Sequence, residues 1–167
     1  WNLQVAPEIL AGMEATGIGR LESGFAANGE HINLNQTDPN ADPPSEGTPN
    51  PLFVDNPDLH KALSIAINRD ELVAVGYGAA GAPTCYFWPV EGQTSGNLDD
   101  CLTQDIEGAN ALLDGLGYLD TDGDGVREAE GYGPLEFDYV TSTNAVRQSN
   151  QELIASYWEE IGVKANM

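Results

Sequence analysis

The residues with the clearest chemical pattern form an acid-rich loop, DTDGDGVREAEG, that begins at position 120. Carboxylates recur at the first, third and fifth places of a calcium-binding loop, and a glycine occupies the sixth place, where the backbone must turn. The predicted ligands are Asp120, Asp122, Asp124, the carbonyl group of Val126 and, at the ninth place, Glu128. The twelfth place should hold a bidentate glutamate but holds a glycine, which lowers the expected affinity. We predict either a weak structural calcium site or an acidic turn without an ion.

The two cysteines of the chain are Cys85 and Cys101. No CxxC motif and no cluster of cysteine with histidine accompanies them, which argues against a zinc site. Neither cysteine has a histidine nearby in the sequence that could act as its base. The residues alone leave two alternatives open, which are a disulfide bond if the protein is exported and a pair of reduced, buried thiols.

Motifs that would identify an enzyme are missing from the sequence. The chain contains no GxSxG, HExxH, GxGxxG or phosphate-binding loop, and its two histidines are His31 and His60. Pairs of acidic residues are abundant, but at this density of carboxylates no particular pair indicates acid–base chemistry. We therefore predict that the chain is not an enzyme, and a secreted hydrolase ranks last among the alternatives.

The charge of the chain is strongly negative. Six lysine and arginine residues stand against 27 aspartate and glutamate residues, which gives a formal net charge of −21. Such a surface repels nucleic acids and anionic lipids, so neither is an expected partner. One hypothesis is an exported protein adapted to brine, whose solubility should improve from dilute buffer to concentrated salt. An acidic protein from an ordinary habitat is the alternative.

Length and composition predict a single domain that spans residues 1–167. Of the 167 residues, 41% are hydrophobic and 20% are charged, and a chain of this length can bury a sizeable core. No apolar run approaches the ~18 residues that a membrane-spanning helix needs. The segment 38–51 is rich in proline and aspartate and is predicted to be a surface loop within the domain. Because the chain begins without a start Met or a signal peptide, we expect it to be part of a longer protein.

A central segment, NPDLHKALSIAINRDELVAVGY from position 56, is predicted to form two helices separated by a short joint. Asn56 can cap the first helix and Pro57 suits its first position, while apolar residues follow at helical spacing. Asn68 can cap the second helix, three residues before Glu71. The rest of the chain is arranged around this pair.

The N-terminal part is predicted to contain a short strand, Trp1–Val5, followed by a helix from Glu8 to Ala15. Three apolar residues of this helix should face inward, namely Ile9, Leu10 and Met13. Two further strands are predicted, Arg20–Phe25 and Glu30–Thr37. After the central helices, the aromatic run Tyr86–Trp88 either packs over the core or lines a ligand pocket.

The C-terminal part is predicted to form a βαβ unit. A helix capped by Thr103 or Asp105 precedes this unit in the chain. It is followed by a strand at Leu135–Thr141, the longest helix at Asn144–Ile161 and a strand that begins at Val163. Strand, helix and strand at this spacing predict two parallel strands joined by a crossover helix. The expected architecture is therefore α+β, with helices packed on a mixed sheet.

Three stretches of the sequence resemble one protein family. They are LHKALSIAINRDELV in the central helices, TSTNAVRQSNQELIASYWEEIGV near the C-terminus and, more weakly, WNLQVAPE at the N-terminus. The family is that of the extracellular solute-binding proteins that deliver peptides to ABC transporters, the dipeptide- and oligopeptide-binding proteins. The resemblance implies a periplasmic-binding-protein type II fold, in which lobes close on a ligand by hinge motion. This chain would form much of one ligand-closing lobe.

The resemblance also implies the location, partners and ligand contacts of the protein. It places the protein in the periplasm or outside the cell, where it would deliver a peptide or related small solute to a membrane permease without requiring a cofactor. The remaining lobes of its own longer chain would complete the cleft. The implied ligand contacts are Glu8, whose acid could meet positive groups of a peptide, Trp1 and Asn2 on the hinge strand, and the aromatic Trp88.

Export of the protein, which the resemblance implies, favours a disulfide bond between Cys85 and Cys101. By closing a loop, this bond would add about 3 kcal/mol to the free energy of unfolding. A function of another class remains as the alternative, namely a stand-alone extracellular interaction module stabilised by calcium in the acidic loop. Chelation of calcium should unfold such a module but barely affect a solute-binding lobe.

Overall fold

The structure, a computed structural model, describes residues 7–20, 22, 29–38, 41, 47–78, 81–87 and 99–167. Its α-helices are α1 (Pro7–Ala15), α2 (Pro57–Ile65), α3 (Arg69–Gly76), α4 (Ile106–Gly115) and α5 (Ala145–Glu159). Its strands are β1 (Glu128–Ala129), β2 (Gly133–Pro134), β3 (Glu136–Asp138) and β4 (Lys164–Asn166). A short 3₁₀ helix, Asp99–Leu102, precedes α4. Within these ranges, no helix is both long enough and apolar enough to cross a bilayer.

Side-chain caps define the starts of the helices that build the core. For example, the carboxylate of Asp105 accepts a hydrogen bond of 2.7 Å from Gly108 N at the start of α4. Such a cap satisfies a backbone donor that the first turn of a helix leaves unpaired. The same role is filled at α2, α3 and α5 by Asn56, Asn68 and Asn144. The predicted central pair of helices, with both of its caps, is confirmed.

The core lies where α2, α4 and α5 meet the parallel strands. Trp158 on α5 is 2% exposed, and its Nε1 donates a hydrogen bond of 2.9 Å to Leu63 O on α2. Its ring meets the edge of Phe137 on β3 at a centroid distance of 5.7 Å. Aliphatic side chains complete this core, among them the fully buried Leu52, Leu59, Leu113, Leu135, Ile161 and Val163.

The C-terminal part is the predicted βαβ unit. β3 and β4 pair in parallel, with Phe137 opposite Ala165, and α5 connects them. β1 and β2 form a separate antiparallel hairpin in which Ala129 lies opposite Gly133. The predicted α+β class is therefore confirmed. The predicted mixed sheet is not found among the described residues, whose parallel and antiparallel pairs belong to two separate two-stranded sheets.

The predicted orientation of α1 is wrong. Ile9 is 52% exposed and Met13 is 57% exposed, and Leu10 is only partly buried. Periodicity identifies the apolar side of a helix, but it does not identify the surface that covers it. The helix itself begins and ends where the sequence indicates.

The predicted strand Glu30–Thr37 is also wrong. Ile32 and Leu34 alternate as expected and pack against the core, but in the described part the segment is irregular apart from one bridge, between Thr37 and Pro49. Alternation reports burial on one side, whereas a strand also needs a partner for its backbone groups. The predicted strand Trp1–Val5 and nearly all of the predicted strand Arg20–Phe25 lie outside the described residues.

Candidate functional site

Three of the four ligand contacts implied by the family resemblance, Trp1, Asn2 and Trp88, lie outside the residues that the structure describes. Glu8 lies in the first turn of α1, where its backbone is described and its side chain is not. All four therefore stay predictions. The described residues offer another candidate surface, at one end of the parallel sheet.

The carboxyl ends of β3 and β4 meet at the same edge of this sheet. Tyr139 N donates a hydrogen bond of 2.7 Å to Asn166 O, which continues the pairing towards that edge. The residue that follows Tyr139, Val140, is 83% exposed although its side chain is apolar. Ligands of open α/β sheets bind outside the carboxyl ends of the strands. The exposed Val140 therefore marks a candidate ligand-facing surface.

The N-terminus of α5 lies beside the same surface, because only Val140–Asn144 connects it with the end of β3. We call Val140–Asn144 the carboxyl edge. Its threonine and serine side chains offer hydrogen-bond donors and acceptors, and the helix adds a partial positive charge. The buried Gln151 donates a hydrogen bond from Nε2 to Tyr139 O and so fixes the strand end against the helix. Such a surface can bind the apolar and polar groups of a ligand.

Two tyrosines with raised pKa values, Tyr77 and Tyr139, interact with the ion pair between Arg147 and Glu30, whose charged atoms are 3.0 Å apart. Burial raises the pKa of Tyr139 to about 12, and the negative charge of Glu30 adds to this effect. Burial and Glu30 also raise the pKa of Tyr77 to about 12, while Arg147 opposes them. Tyr157 donates a hydrogen bond of 2.6 Å to Glu71, and burial together with this contact raises its pKa as well.

We expect the domain to lose stability at alkaline pH. An unfolded tyrosine has a pKa of about 10. Because folding raises the pKa, the neutral phenols favour the folded state fully below pH ~10, and this contribution is lost as the pH rises through the folded pKa. Denaturation by urea at a series of pH values up to about 12 should show this decline for Tyr77 and Tyr139. The free energy of unfolding of Tyr139→Phe should decline less steeply with rising pH. Unchanged stability of the parent chain across this range would contradict the prediction.

The acidic loop gathers the four predicted carboxylate ligands. Each of Asp120, Asp122, Asp124 and Glu128 offers an oxygen atom within 4.8 Å of those of the others. Asp120 accepts hydrogen bonds from two backbone amides of the loop, at 2.7 and 3.0 Å. Gly125, at the predicted turn, has a φ of 93°, which glycine adopts without strain. Oxygen ligands at this spacing suit a hard cation such as calcium.

Arg127 holds the acidic loop against the rest of the domain, and no sequence motif identifies this role. Its side chain is 13% exposed. Its Nε donates a hydrogen bond of 2.9 Å to Ile161 O, and its Nη1 donates one of 2.6 Å to Tyr118 O. These acceptors lie 34 and 9 positions away along the chain. A local sequence motif cannot indicate contacts between residues so far apart along the chain.

A disulfide bond joins Cys85 and Cys101, as the resemblance implied, with their Cα atoms 5.8 Å apart. Cys101 O accepts a hydrogen bond of 3.0 Å from Arg69 Nη1, which also donates one of 2.7 Å to Ser64 O. The bond therefore ties the segment 81–87 to the joint between α2 and α3. Phe87, in the tied segment, is 61% exposed.

Loss of this disulfide should lower the free energy of unfolding by about 3 kcal/mol, because the unfolded chain regains the entropy of an open loop. Urea denaturation of the oxidised chain and of the double variant Cys85→Ser, Cys101→Ser measures the difference. A reducing agent should destabilise the parent chain and leave the double variant unchanged. Equal midpoints of parent and double variant would contradict the prediction.

The fold is shared with solved structures. An oligopeptide-binding protein from Thermus thermophilus, complexed with a pentapeptide, matches 69% of this chain and 20% of its own length at 23% identity, with a TM-score of 0.58. An ABC transporter substrate-binding protein from Sinorhizobium meliloti matches 70% of this chain and 24% of its own at 28% identity, with a TM-score of 0.54. A periplasmic oligopeptide-binding protein from Thermotoga maritima with bound mannohexaose matches 69% of this chain and 22% of its own at 22% identity, with a TM-score of 0.54. No curated protein matches significantly.

These similarities confirm the predicted fold, part of a periplasmic-binding protein of type II. The chain spans between 20% and 24% of the length of these three relatives. The family model described as "Bacterial extracellular solute-binding proteins, family 5 Middle" matches residues 6–167. The match includes every helix and strand of the structure, from α1 to β4. The chain therefore belongs to family 5 of the bacterial extracellular solute-binding proteins.

Proposed function

We propose that the chain forms much of one ligand-closing lobe in the substrate-binding component of a peptide-type ABC importer. The family match over residues 6–167 carries the proposal, and the parallel β3–α5–β4 unit supports it. In such a component, lobes close around the ligand by hinge motion, and the loaded protein passes the ligand to a membrane permease. The family description supports a location outside the cytoplasm, in the periplasm or beyond it.

The ligand would meet this lobe at the carboxyl edge. The exposed Val140 would supply an apolar contact there, and the turn before α5 would supply polar groups. The contacts implied by the family resemblance, Trp1, Asn2, Glu8 and Trp88, would complete this side of the cleft. A single lobe covers one side of a ligand, so the opposing lobe must supply the rest of the binding energy.

A peptide is the first candidate ligand. The structural relative from Thermus thermophilus carries a pentapeptide, whereas the relative from Thermotoga maritima carries mannohexaose. The acid at Glu8 favours a ligand with a positive group, which a peptide has at its N-terminus and an oligosaccharide does not. A related small solute therefore ranks second.

Calorimetric titration of the longer protein that contains this lobe tests the proposal. Peptide mixtures of defined length and neutral oligosaccharides are the probes. We expect the longer protein to bind peptides, and the present chain alone to bind them at least about 100-fold more weakly, because half of the contacts are missing. Equally tight binding by the isolated chain, or binding of oligosaccharides alone, would contradict the proposal.

The role of Glu8 is tested by Glu8→Gln in the longer protein. Loss of a charge-assisted contact should weaken peptide binding about tenfold or more. Glu14→Gln, which removes a carboxylate from the same helix, is the matched control and should bind as the parent does. Equal affinities of parent and Glu8→Gln would remove Glu8 from the ligand site.

We further propose that the acidic loop binds calcium weakly and only as a structural ion. Three aspartates at alternate positions, with Glu128 beside them, support this assignment. Calcium at about ten times its Kd should stabilise the domain by about 1.4 kcal/mol, with a Kd near the millimolar range. Thermal denaturation with calcium and with a chelator measures the effect.

Asp124→Asn should abolish the calcium effect, while Glu130→Gln, outside the four clustered carboxylates, should keep it. Complete unfolding upon chelation would instead support the alternative function, a stand-alone module that calcium holds together. The family match favours the solute-binding lobe, for which no cofactor is required.

A further inference from the structure

The sequence contains one acceptor motif for N-linked glycosylation, Asn35-Gln36-Thr37. A motif this short is informative only where the folded chain presents its asparagine at the surface. Asn35 is exposed and lies in a segment that is neither helix nor strand. The structure thus presents the acceptor side chain to solvent.

The motif is held in a hydrogen-bonded turn. Thr37 N donates a hydrogen bond of 3.1 Å to Asn35 Oδ1, which closes an Asx turn. In the part of the chain that the structure describes, Asn35 Nδ2 and Thr37 Oγ1 have no hydrogen-bond partner, so both groups are available to a transferase.

Buried contacts fix the backbone of the motif without covering its side chain. Asn50 is 2% exposed, and its Nδ2 donates a hydrogen bond of 3.1 Å to Asn35 O. Asn50 N donates another of 2.9 Å to Gln36 O. These two hydrogen bonds from the buried Asn50 therefore anchor the turn to the folded domain. A glycan on Asn35 would extend into solvent and displace no packed group.

We propose that Asn35 is an N-glycosylation site of the exported protein. In this reaction Asn35 Nδ2 attacks C1 of a lipid-linked saccharide, so that an N–C1 bond forms and the bond between C1 and the lipid phosphate oxygen breaks. The amide proton passes to a base of the transferase, and the lipid phosphate leaves. The inference rests on the extracellular location in the proposed function, because lipid-linked donors serve exported chains.

Mass spectrometry of the longer protein, purified from outside the cytoplasm of its source cells, tests the proposal. The tryptic peptide that ends at Lys61 and begins after Arg20 contains the motif. We expect this peptide to carry the added mass of one or more saccharide units, with fragment ions that place it on Asn35. The added mass should disappear in Asn35→Gln and in Thr37→Ala, and Thr37→Ser should retain it.

Asn33→Gln is the matched control, because Asn33 is also exposed but lies outside an acceptor motif. This variant should keep the added mass. An exported protein whose peptide has the unmodified mass overturns the proposal, and so does an added mass that persists in Asn35→Gln. Peptide affinity is measured on the same preparations, so a failure of the transport function is seen separately from a failure of glycosylation.

Discussion

Replacement of Trp158 by alanine is expected to lower the free energy of unfolding by about 5 kcal/mol. The indole is 2% exposed and packs between α2 and β3, so its removal leaves a large cavity that the surrounding side chains cannot fill. The substitution also leaves Leu63 O in the core without the donor that it now has at 2.9 Å. Such a loss approaches the whole stability of a small domain. Urea denaturation followed by circular dichroism measures it.

Trp158→Phe separates the two contributions. The phenyl ring keeps most of the packing against Phe137 and removes only the Nε1 donor, so we expect a loss of about 2 kcal/mol. If Trp158→Ala is too unstable to fold, the phenylalanine variant still tests the hydrogen bond. A loss below about 1 kcal/mol in Trp158→Ala would show that the ring does not organise the core.

Replacement of Arg127 by alanine is expected to cost about 4 kcal/mol. The nearly buried guanidinium donates to the backbone carbonyls of Ile161 and Tyr118, which would lose their partners. It also binds Asp114 at 2.6 Å and Asn110 at 2.8 Å, and so connects the acidic loop with α4. Buried acceptors without donors cost more than the net value of the bonds that they make. Urea denaturation measures the loss.

Arg20→Ala is the control for charge. Arg20 is 81% exposed and contacts only Glu22 among the described residues, so its removal should change stability by less than about 0.5 kcal/mol. Arg127→Lys keeps the charge but not the planar fork of donors, so most of the loss should remain. Similar stabilities of Arg127→Ala and Arg20→Ala would contradict the assigned role.

The sequence predicted those parts of the fold that short-range chemistry determines. Asn56, Asn68 and Asp105 are caps because a side-chain oxygen a few residues before a backbone amide can reach it. The apolar pattern of α5, set between two short apolar strands, was sufficient to predict the parallel pairing of β3 and β4. The four carboxylates of the acidic loop also follow from spacing within one turn.

The features that the sequence did not predict depend on contacts between distant segments. The apolar residues of α1 form a helical stripe, but no local signal says what surface they meet. The alternation at Glu30–Thr37 gave the correct buried side and the wrong backbone pairing. The carboxyl edge could have been predicted, because a βαβ unit places the ends of both strands together. Arg127 could not, since its acceptors come from two separate parts of the chain, residues 110–118 and Ile161.

The position of α5 in the chain has a consequence for synthesis. The bond from Trp158 to Leu63 joins residues 95 positions apart, and that from Tyr157 to Glu71 joins residues 86 positions apart. During synthesis, the surface of α2 that Trp158 covers therefore has no contact with α5 until 95 further residues have been added after Leu63. The packing of α4 on α2 can form earlier, because α4 precedes α5 in the chain, and the contacts of α5 then complete the core.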